Sequence, residues 1–567
     1  MDLAAPGNQP FPMKKSLVWA VTAACAAVLA LGSRARADDA PPAKPAAAPA
    51  AHADAKAEAK DAEPAPIVTE HTITIGGQVV KYRATVGYYY LPDDPPRDWA
   101  LDAASAGLDG GPGDPAAPAS THRDDEPKAK IFYVAYAREG VGSLAKRPIT
   151  FAFNGGPGSA SIWLHMGALG PRRVHLTDRG ESPAPPYTLE DNANSWLDAT
   201  DLVFIDPMST GFSRPTEGTN AREYYGYPQD LASVANFVRL YTTRNGRWAS
   251  PKLIAGESYG TVRAAGLSDY LQSRYGLYMN GIVLISSVLN YETISFAPGT
   301  DAAYPLFLPS YAAVAWYHHK LGADLQAKPL ADVLTEAENF SNGDYLTALA
   351  RGDALPAADR DRAAAELSRL TSLPAAYFAQ LHLRVPDQLY FSQLLKDEDR
   401  GIGRYDGRFK GLRYAPGTDG DEFDPSYEAV RPPFTAGFND YVRRELKYES
   451  DLSYEALIPV QPWSLQANRY LDVAEALRQA MTRNPYLKVW ICCGYYDLAT
   501  PYFGAKVTAA RMLLDPAVRS NLTLTYYESG HMVYIDRPSL TKLKNDFNTF
   551  LQHAVTDNGP AVPAAAP

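Results

Sequence analysis

The chain reads first as a succession of short apolar runs. Between about residues 67 and 90, "HTITIGGQVVKYRATVGYYYL" alternates apolar and polar positions around a Gly-Gly pair, which predicts a β-hairpin. Further on the alternation stops. "KIFYVAY", "PITFAF", "DLVFID", "KLIAG", "GIVLIS" and "KVWICC" are continuous apolar runs, and such runs fit strands buried on both faces, as in a parallel sheet covered by helices. Several end in Gly or Asp and lead into helical segments such as "TVRAAGLSDYLQSRYG". From about 291 to 455 the pattern changes, and Pro- and Gly-punctuated helical pieces such as "DRDRAAAELSRL" replace the buried strands. Sheet-like runs resume at "KVWICC". The pattern predicts an α/β core with a mostly parallel central sheet and helices on both faces. Its parts, 67–290 and 456–553, are separated by a mainly helical lid-like insertion over 291–455.

Composition narrows the class. With 567 residues, 46% of them hydrophobic and 21% charged, the chain has material for a large core. The net charge of −10 is spread rather than blocked, and no Lys/Arg-rich run appears, so nucleic acid and anionic membrane are not expected partners. Cys25 lies in the amino-terminal leader, while Cys492 and Cys493 are adjacent and cannot staple distant segments. Two buried thiols in a strand are expected, with stability coming from packing. No zinc-like cysteine spacing occurs, His318-His319 lacks i,i+4 spacing and HExxH is absent, so neither a metal nor a cofactor is expected.

The leader itself, from Met13, carries two lysines, an apolar run and a small-x-small close at Ala35-Arg36-Ala37. Residues 1–37 read as a secretory signal. The competing readings are a membrane anchor, for which the run is short, and a lipid-modified Cys25. The expectation is an exported protein, periplasmic or secreted, with no stable membrane insertion after cleavage. Residues 38–66, nearly all Ala, Pro, Lys, Asp and Glu, have too little apolar surface to offset their ordering entropy and read as a flexible tether. The polar stretch 92–128 reads as a surface loop and the tail, 554–567, as unstructured.

Candidate chemistry centres on "PKLIAGESYGTVRAAG", where Ser258 stands in a G-x-S-x-G pattern between a strand-like run and a helical one. Strand, sharp turn, helix is the context in which such a serine becomes a nucleophile. A serine hydroxyl then needs a base within hydrogen-bond reach and an acid to orient that base. Of the histidines after Ser258, His318, His319 and His382 fall in the helical insertion and His553 on an amphipathic segment. His531 alone follows a strand-like run, "LTLTYYESGHM", with a glycine before it to free the backbone. Asp497, in "GYYDLATP" after "KVWICC", stands where the acid should be. The developing oxyanion needs backbone donors. Tyr259, just after the serine, supplies one, and the glycine-rich "FAFNGGPGSASIW", with Asn154, Gly155 and Gly156, supplies the loop for the other.

"FNGGPGSAS", "GALGP", "DLVFIDPMSTGFS", "GESYG", "CCGYYDLATP" and "SGHMV" occur in this order, and together they resemble the serine carboxypeptidases, in the manner of a bacterial member of that family. The resemblance covers most of the chain from about 130 to 545 and implies an α/β-hydrolase fold. It also implies roles: Ser258 as nucleophile, His531 as general base and then acid, and Asp497 as its orienting carboxylate. Gly156 and Tyr259 would be the oxyanion donors, Asn154 and Glu257 the holders of the substrate's free carboxylate, and Met532 part of the leaving-residue pocket. The implied substrates are the C-termini of peptides or proteins. Departures are also present. Ser159 stands where the family usually has Cys, Ala168 where it has a second glutamate, and Tyr534 where proline is common.

Glu257 is informative by chemistry alone. A glutamate that hydrogen-bonds an anionic substrate must share a proton with it, so its pKa is expected to be raised and peptide binding to favour acid. An esterase or acyltransferase on the same scaffold, and a non-catalytic binding module, are the alternatives.

Overall fold

The computed structural model describes residues 63–92, 127–413, 423–463 and 470–556. The leader, most of the proposed tether and loop, and the last residues of the tail lie outside them. Nine strands make the main sheet: β1 (Ile67–Ile75), β2 (Gln78–Pro92), β3 (Pro127–Arg138), β4 (Ile149–Phe153), β5 (Asp201–Ile205), β6 (Lys252–Glu257), β7 (Gly281–Ile285), β8 (Lys488–Gly494) and β9 (Leu522–Tyr527). Their spatial order is β1-β2-β3-β5-β4-β6-β7-β8-β9, with a two-residue strand, Arg214–Pro215, added to β3. The first three form an antiparallel ribbon, and from β5 to β9 every pairing is parallel.

The hairpin turn between β1 and β2 is Gly76-Gly77, both at positive φ (56° and 79°), the conformation that a tight two-residue hairpin needs. Residues 63–66, the end of the proposed tether, are tied to the folded part. Glu63 pairs with Arg244 at 2.7 Å, and Pro66 packs over Gly87. At the other end the last helix runs to Thr556 and so takes in the first three residues of the expected tail.

Strands β4 to β7 have every residue buried, because helices cover both sides. One core takes Phe151, Phe153 and Ile254 under α1 (Tyr227–Arg244), α2 (Tyr259–Tyr275) and α3 (Ala303–Tyr317). The opposite core takes Ala152, Leu253 and Ala255 under α4 (Pro425–Arg444) and α5 (Arg537–Thr556). Successive side chains thus feed opposite cores, the period of two that an extended strand imposes.

Two features differ from the sequence pattern. The run "KIFYVAY" reads as a parallel strand, yet β3 pairs antiparallel with both β2 and β5; continuous burial reports coverage of both faces, not strand direction. The segment between β7 and β8 is mostly helical, with two short strands at Arg400–Ile402 and Lys410–Leu412. Its helices are shared between the two cores, since α3 joins one and α4 the other. Cys492 and Cys493 are buried free thiols within β8.

Candidate active site

Strand β6 ends at Glu257, and the chain turns at Ser258 (φ 59°, ψ −129°) straight into α2. A non-glycine residue held in this region is strained, and the strain lifts the hydroxyl onto the tip of the turn. The turn is closed by packing: a Cβ at Gly256 would lie 2.1 Å from the Gly260 carbonyl oxygen. The Ser258 amide donates to the Ile285 carbonyl at 3.0 Å, tying the turn to β7.

His531 follows β9 and Asp497 follows β8. His531 Nδ1 lies 2.8 Å from Asp497 Oδ2, with both side chains buried. The other carboxylate oxygen accepts from the Ala499 and Thr500 amides at 2.8 and 2.9 Å, and the Thr500 hydroxyl donates to Oδ2 at 2.8 Å. These bonds leave the carboxylate no freedom to rotate. Burial opposes protonation of His531, but the Asp497 charge and hydrogen bond outweigh it and hold the imidazole pKa above its ordinary value.

Ser258 and His531 line a single cavity together with Asn154, Gly156, Glu257 and Met532. Among the described residues no hydrogen bond runs from Ser258 Oγ to His531; in free enzymes such bonds are commonly long and tighten with substrate. The glycine-rich loop follows β4. A Cβ at Gly155 would sit 2.4 Å from the Tyr259 amide nitrogen, so glycine lets the loop backbone lie against the first turn of α2. Helix N-termini carry unsatisfied N–H groups and a partial positive charge.

Glu257 is buried, and Asn154 Nδ2 donates to its Oε1 at 3.0 Å. Asn154 is fixed in turn, because its Oδ1 accepts from the Leu164 amide at 3.0 Å. Burial pushes the Glu257 pKa up to about 7, against the opposing effects of His531 and of nearby donors. Tyr534, unexplained in the sequence, brings its hydroxyl beside this carboxyl, while its ring fills the space over Gly167. The hydroxyl and Glu257 Oε2 are both buried without a well-formed hydrogen bond.

The remaining departures also acquire a physical setting. Ser159 Oγ accepts from Trp163 Nε1 at 2.8 Å. The loop around it is joined to 456–458 by backbone bonds, Ala160 to Ala456 (3.0 Å) and Ile458 to Gly158 (3.0 Å). Ala168 is buried, and its carbonyl accepts from Asn192 at 2.7 Å.

Sequence reasoning missed the segment Arg404–Arg408, whose "GRYDGRF" reads as turn punctuation. It holds the loops that carry His531 and Asp497. His531 donates its amide to the Tyr405 carbonyl (2.6 Å), Leu498 to that of Arg404 (3.1 Å), and Gly407 donates to that of Tyr496 (2.9 Å). Asp406, paired with Arg408 at 2.7 Å, accepts from the Gly530 amide at 3.0 Å. A Cβ at Gly530 would lie 2.4 Å from that of Asp406. The glycine before His531 therefore makes room for a neighbour; its φ is not among the positive ones, which corrects the expectation that it frees the backbone. His318, in the insertion, is used structurally, with Nε2 2.7 Å from the Gly407 carbonyl.

Comparison with known proteins covers the first four of the motifs quoted above. Residues 121–291 match a family model described as "Serine carboxypeptidase". A serine carboxypeptidase-like protein of Arabidopsis thaliana is 26% identical over 174 residues, covering 30% of this chain and 34% of the relative; the match thus spans about a third of that relative's length. Among solved structures, the prohormone-processing carboxypeptidase Kex1 of Saccharomyces cerevisiae is similar over 82% of this chain and 91% of its own, at 15% identity and a TM-score of 0.48. A proline iminopeptidase of Mycobacterium smegmatis is similar over 86% and 99%, at 11% identity and a TM-score of 0.31. Over residues 121–291, which contain the glycine-rich loop and the serine turn, the chain is similar to the serine carboxypeptidase family model.

Proposed function

We propose that the chain is a serine-type carboxypeptidase acting through an acyl-enzyme. The observation that carries this reading is a buried His531–Asp497 pair whose imidazole shares one cavity wall with a strained Ser258 and a buried Glu257. Ser258 Oγ attacks the last peptide carbonyl while His531 Nε2 takes its proton. The Gly156 and Tyr259 amides receive the oxyanion, and His531 then protonates the departing amino group. Water, deprotonated by His531, attacks the ester and frees Ser258. Asp497 holds the imidazole with its Nδ1–H inward, so that Nε2 is the basic atom.

Asn154 and Glu257 hold the terminal carboxylate of the substrate, and Met532 lines the pocket for its last side chain. With a pKa of about 7, Glu257 keeps its proton in acid and can donate to that carboxylate. Above that pH two anions face each other. The sign follows: KM for peptides rises with pH through neutrality, approaching about tenfold per unit for a single coupled proton. Glu257→Gln, which cannot ionise, should flatten the rise while keeping a donor. A KM profile that still climbs above neutral pH in the variant would remove Glu257 from carboxylate recognition.

The test of the function itself compares a blocked dipeptide with its C-terminal amide at mildly acidic pH. The acid is expected to be turned over at least a hundredfold more efficiently, since only it presents the anion to Asn154 and Glu257. Equal turnover would favour an esterase or acyltransferase. As part of the same reading, residues 1–37 direct export and the insertion covers the cavity. Among the described residues no helix is long and apolar enough to cross a membrane.

A further inference from the structure

Arg404 stands on the wall of the cavity that holds Ser258, Glu257 and His531. Its backbone is fixed on both sides, the amide donating to Asp424 Oδ1 at 3.2 Å and the carbonyl accepting from Leu498 at 3.1 Å. The guanidinium rests 5.3 Å over the Tyr405 ring. Among the described residues it forms no ion pair, unlike its neighbour Arg408, which is bound to Asp406. Beyond a hydrogen bond with the Tyr405 side chain, its five donors leave capacity for a ligand beside the reacting groups.

This placement is unfavourable in the empty enzyme. His531 must become a cation during the reaction, and the Arg404 charge opposes that. An anion brought in by the substrate would cancel the opposition at the moment it matters. Among the described residues the one carboxyl on the cavity wall, Glu257, is already bonded to Asn154, and Ala168 offers no second one. A cavity whose guanidinium has no carboxylate partner among the described residues, and whose carboxyl is preoccupied, is built for an anionic ligand.

We propose that Arg404 receives the substrate's terminal carboxylate, pairing with it alongside Asn154 and Glu257 and setting the preference for free acids. This rests on the carboxypeptidase reading above and adds to it a residue supplied by the insertion. Arg404 is a specificity residue: it touches the substrate but exchanges no proton.

The experiment uses the full chain as wild type, Arg404→Gln and Arg404→Lys. Each is assayed on a blocked dipeptide acid, its C-terminal amide, and a dipeptide acid with glutamate in the penultimate position. Thermal melting accompanies each variant. Losing a charged hydrogen-bonding partner should lower the acid-to-amide ratio of kcat/KM by about 10- to 100-fold in Arg404→Gln, mainly through KM of the acid. Arg404→Lys should fall between, because the charge stays and the fork is lost. If the glutamine variant does not fold, the lysine variant carries the comparison through the same ratio.

An unchanged ratio with wild-type melting would overturn the proposal and leave the carboxypeptidase reading standing. So would a loss confined to the glutamate-containing substrate, which would assign the cation to a side chain. Failure of the wild type to prefer the acid would be a different result: the carboxypeptidase reading would fall, and this proposal with it.

Discussion

Ser258→Ala is expected to lower kcat on a blocked dipeptide by about a million-fold, the loss typical of removing the nucleophile from a cooperating triad. The cavity offers no substitute. Among the described residues Ser159 is the other serine on its wall, beside the phenols of Tyr405 and Tyr427, and its oxygen accepts from Trp163 Nε1 at 2.8 Å. Alanine tolerates the turn at φ 59° about as well as serine does, so the fold should survive. Steady-state turnover at matched melting temperature checks this. A variant retaining more than about a thousandth of the activity would mean that the hydrolysis measured does not pass through Ser258.

Asp497→Asn should cost about ten-thousandfold in kcat, for a reason visible in its hydrogen bonds. One carboxylate oxygen accepts from two backbone amides, at 2.8 and 2.9 Å, so an asparagine must turn its oxygen that way. Its NH2 group then faces His531 Nδ1, which becomes an acceptor. The ring proton moves to Nε2, and the imidazole can no longer take a proton from Ser258. The geometry stays intact while the tautomer is wrong. A loss below about tenfold in kcat would show that Asp497 does not set the tautomer.

Much of this arrangement was legible in the residues because the informative features are local. Buried strands announce themselves as apolar runs, and the Ser258 turn as glycines whose Cβ atoms have no room. The line-up of Asn154, Gly156, Glu257, Ser258, Met532 and His531 on one cavity could be anticipated because each stands at or soon after the end of a strand, and parallel strands deliver such positions to the same sheet edge. What could not be read depends on pairings distant in sequence. The antiparallel direction of β3 is decided by its neighbours β2 and β5, not by its own side chains. The division of the insertion between two cores follows from where α3 and α4 dock. Arg404 and Asp406 matter because their backbone and carboxylate reach loops about ninety to one hundred and twenty residues further along, and Tyr534 because it meets Glu257. No window of sequence contains both partners of such contacts.

The claim that Ser258 is the activated nucleophile is tested most directly by covalent labelling. The full chain is treated with a phosphonofluoridate and the adduct located by peptide mass spectrometry. One adduct per chain is predicted, on Ser258, abolished in Ser258→Ala and formed at least a hundredfold more slowly in Asp497→Asn. Stoichiometric label on another residue, or full inhibition with Ser258 unmodified, would contradict it.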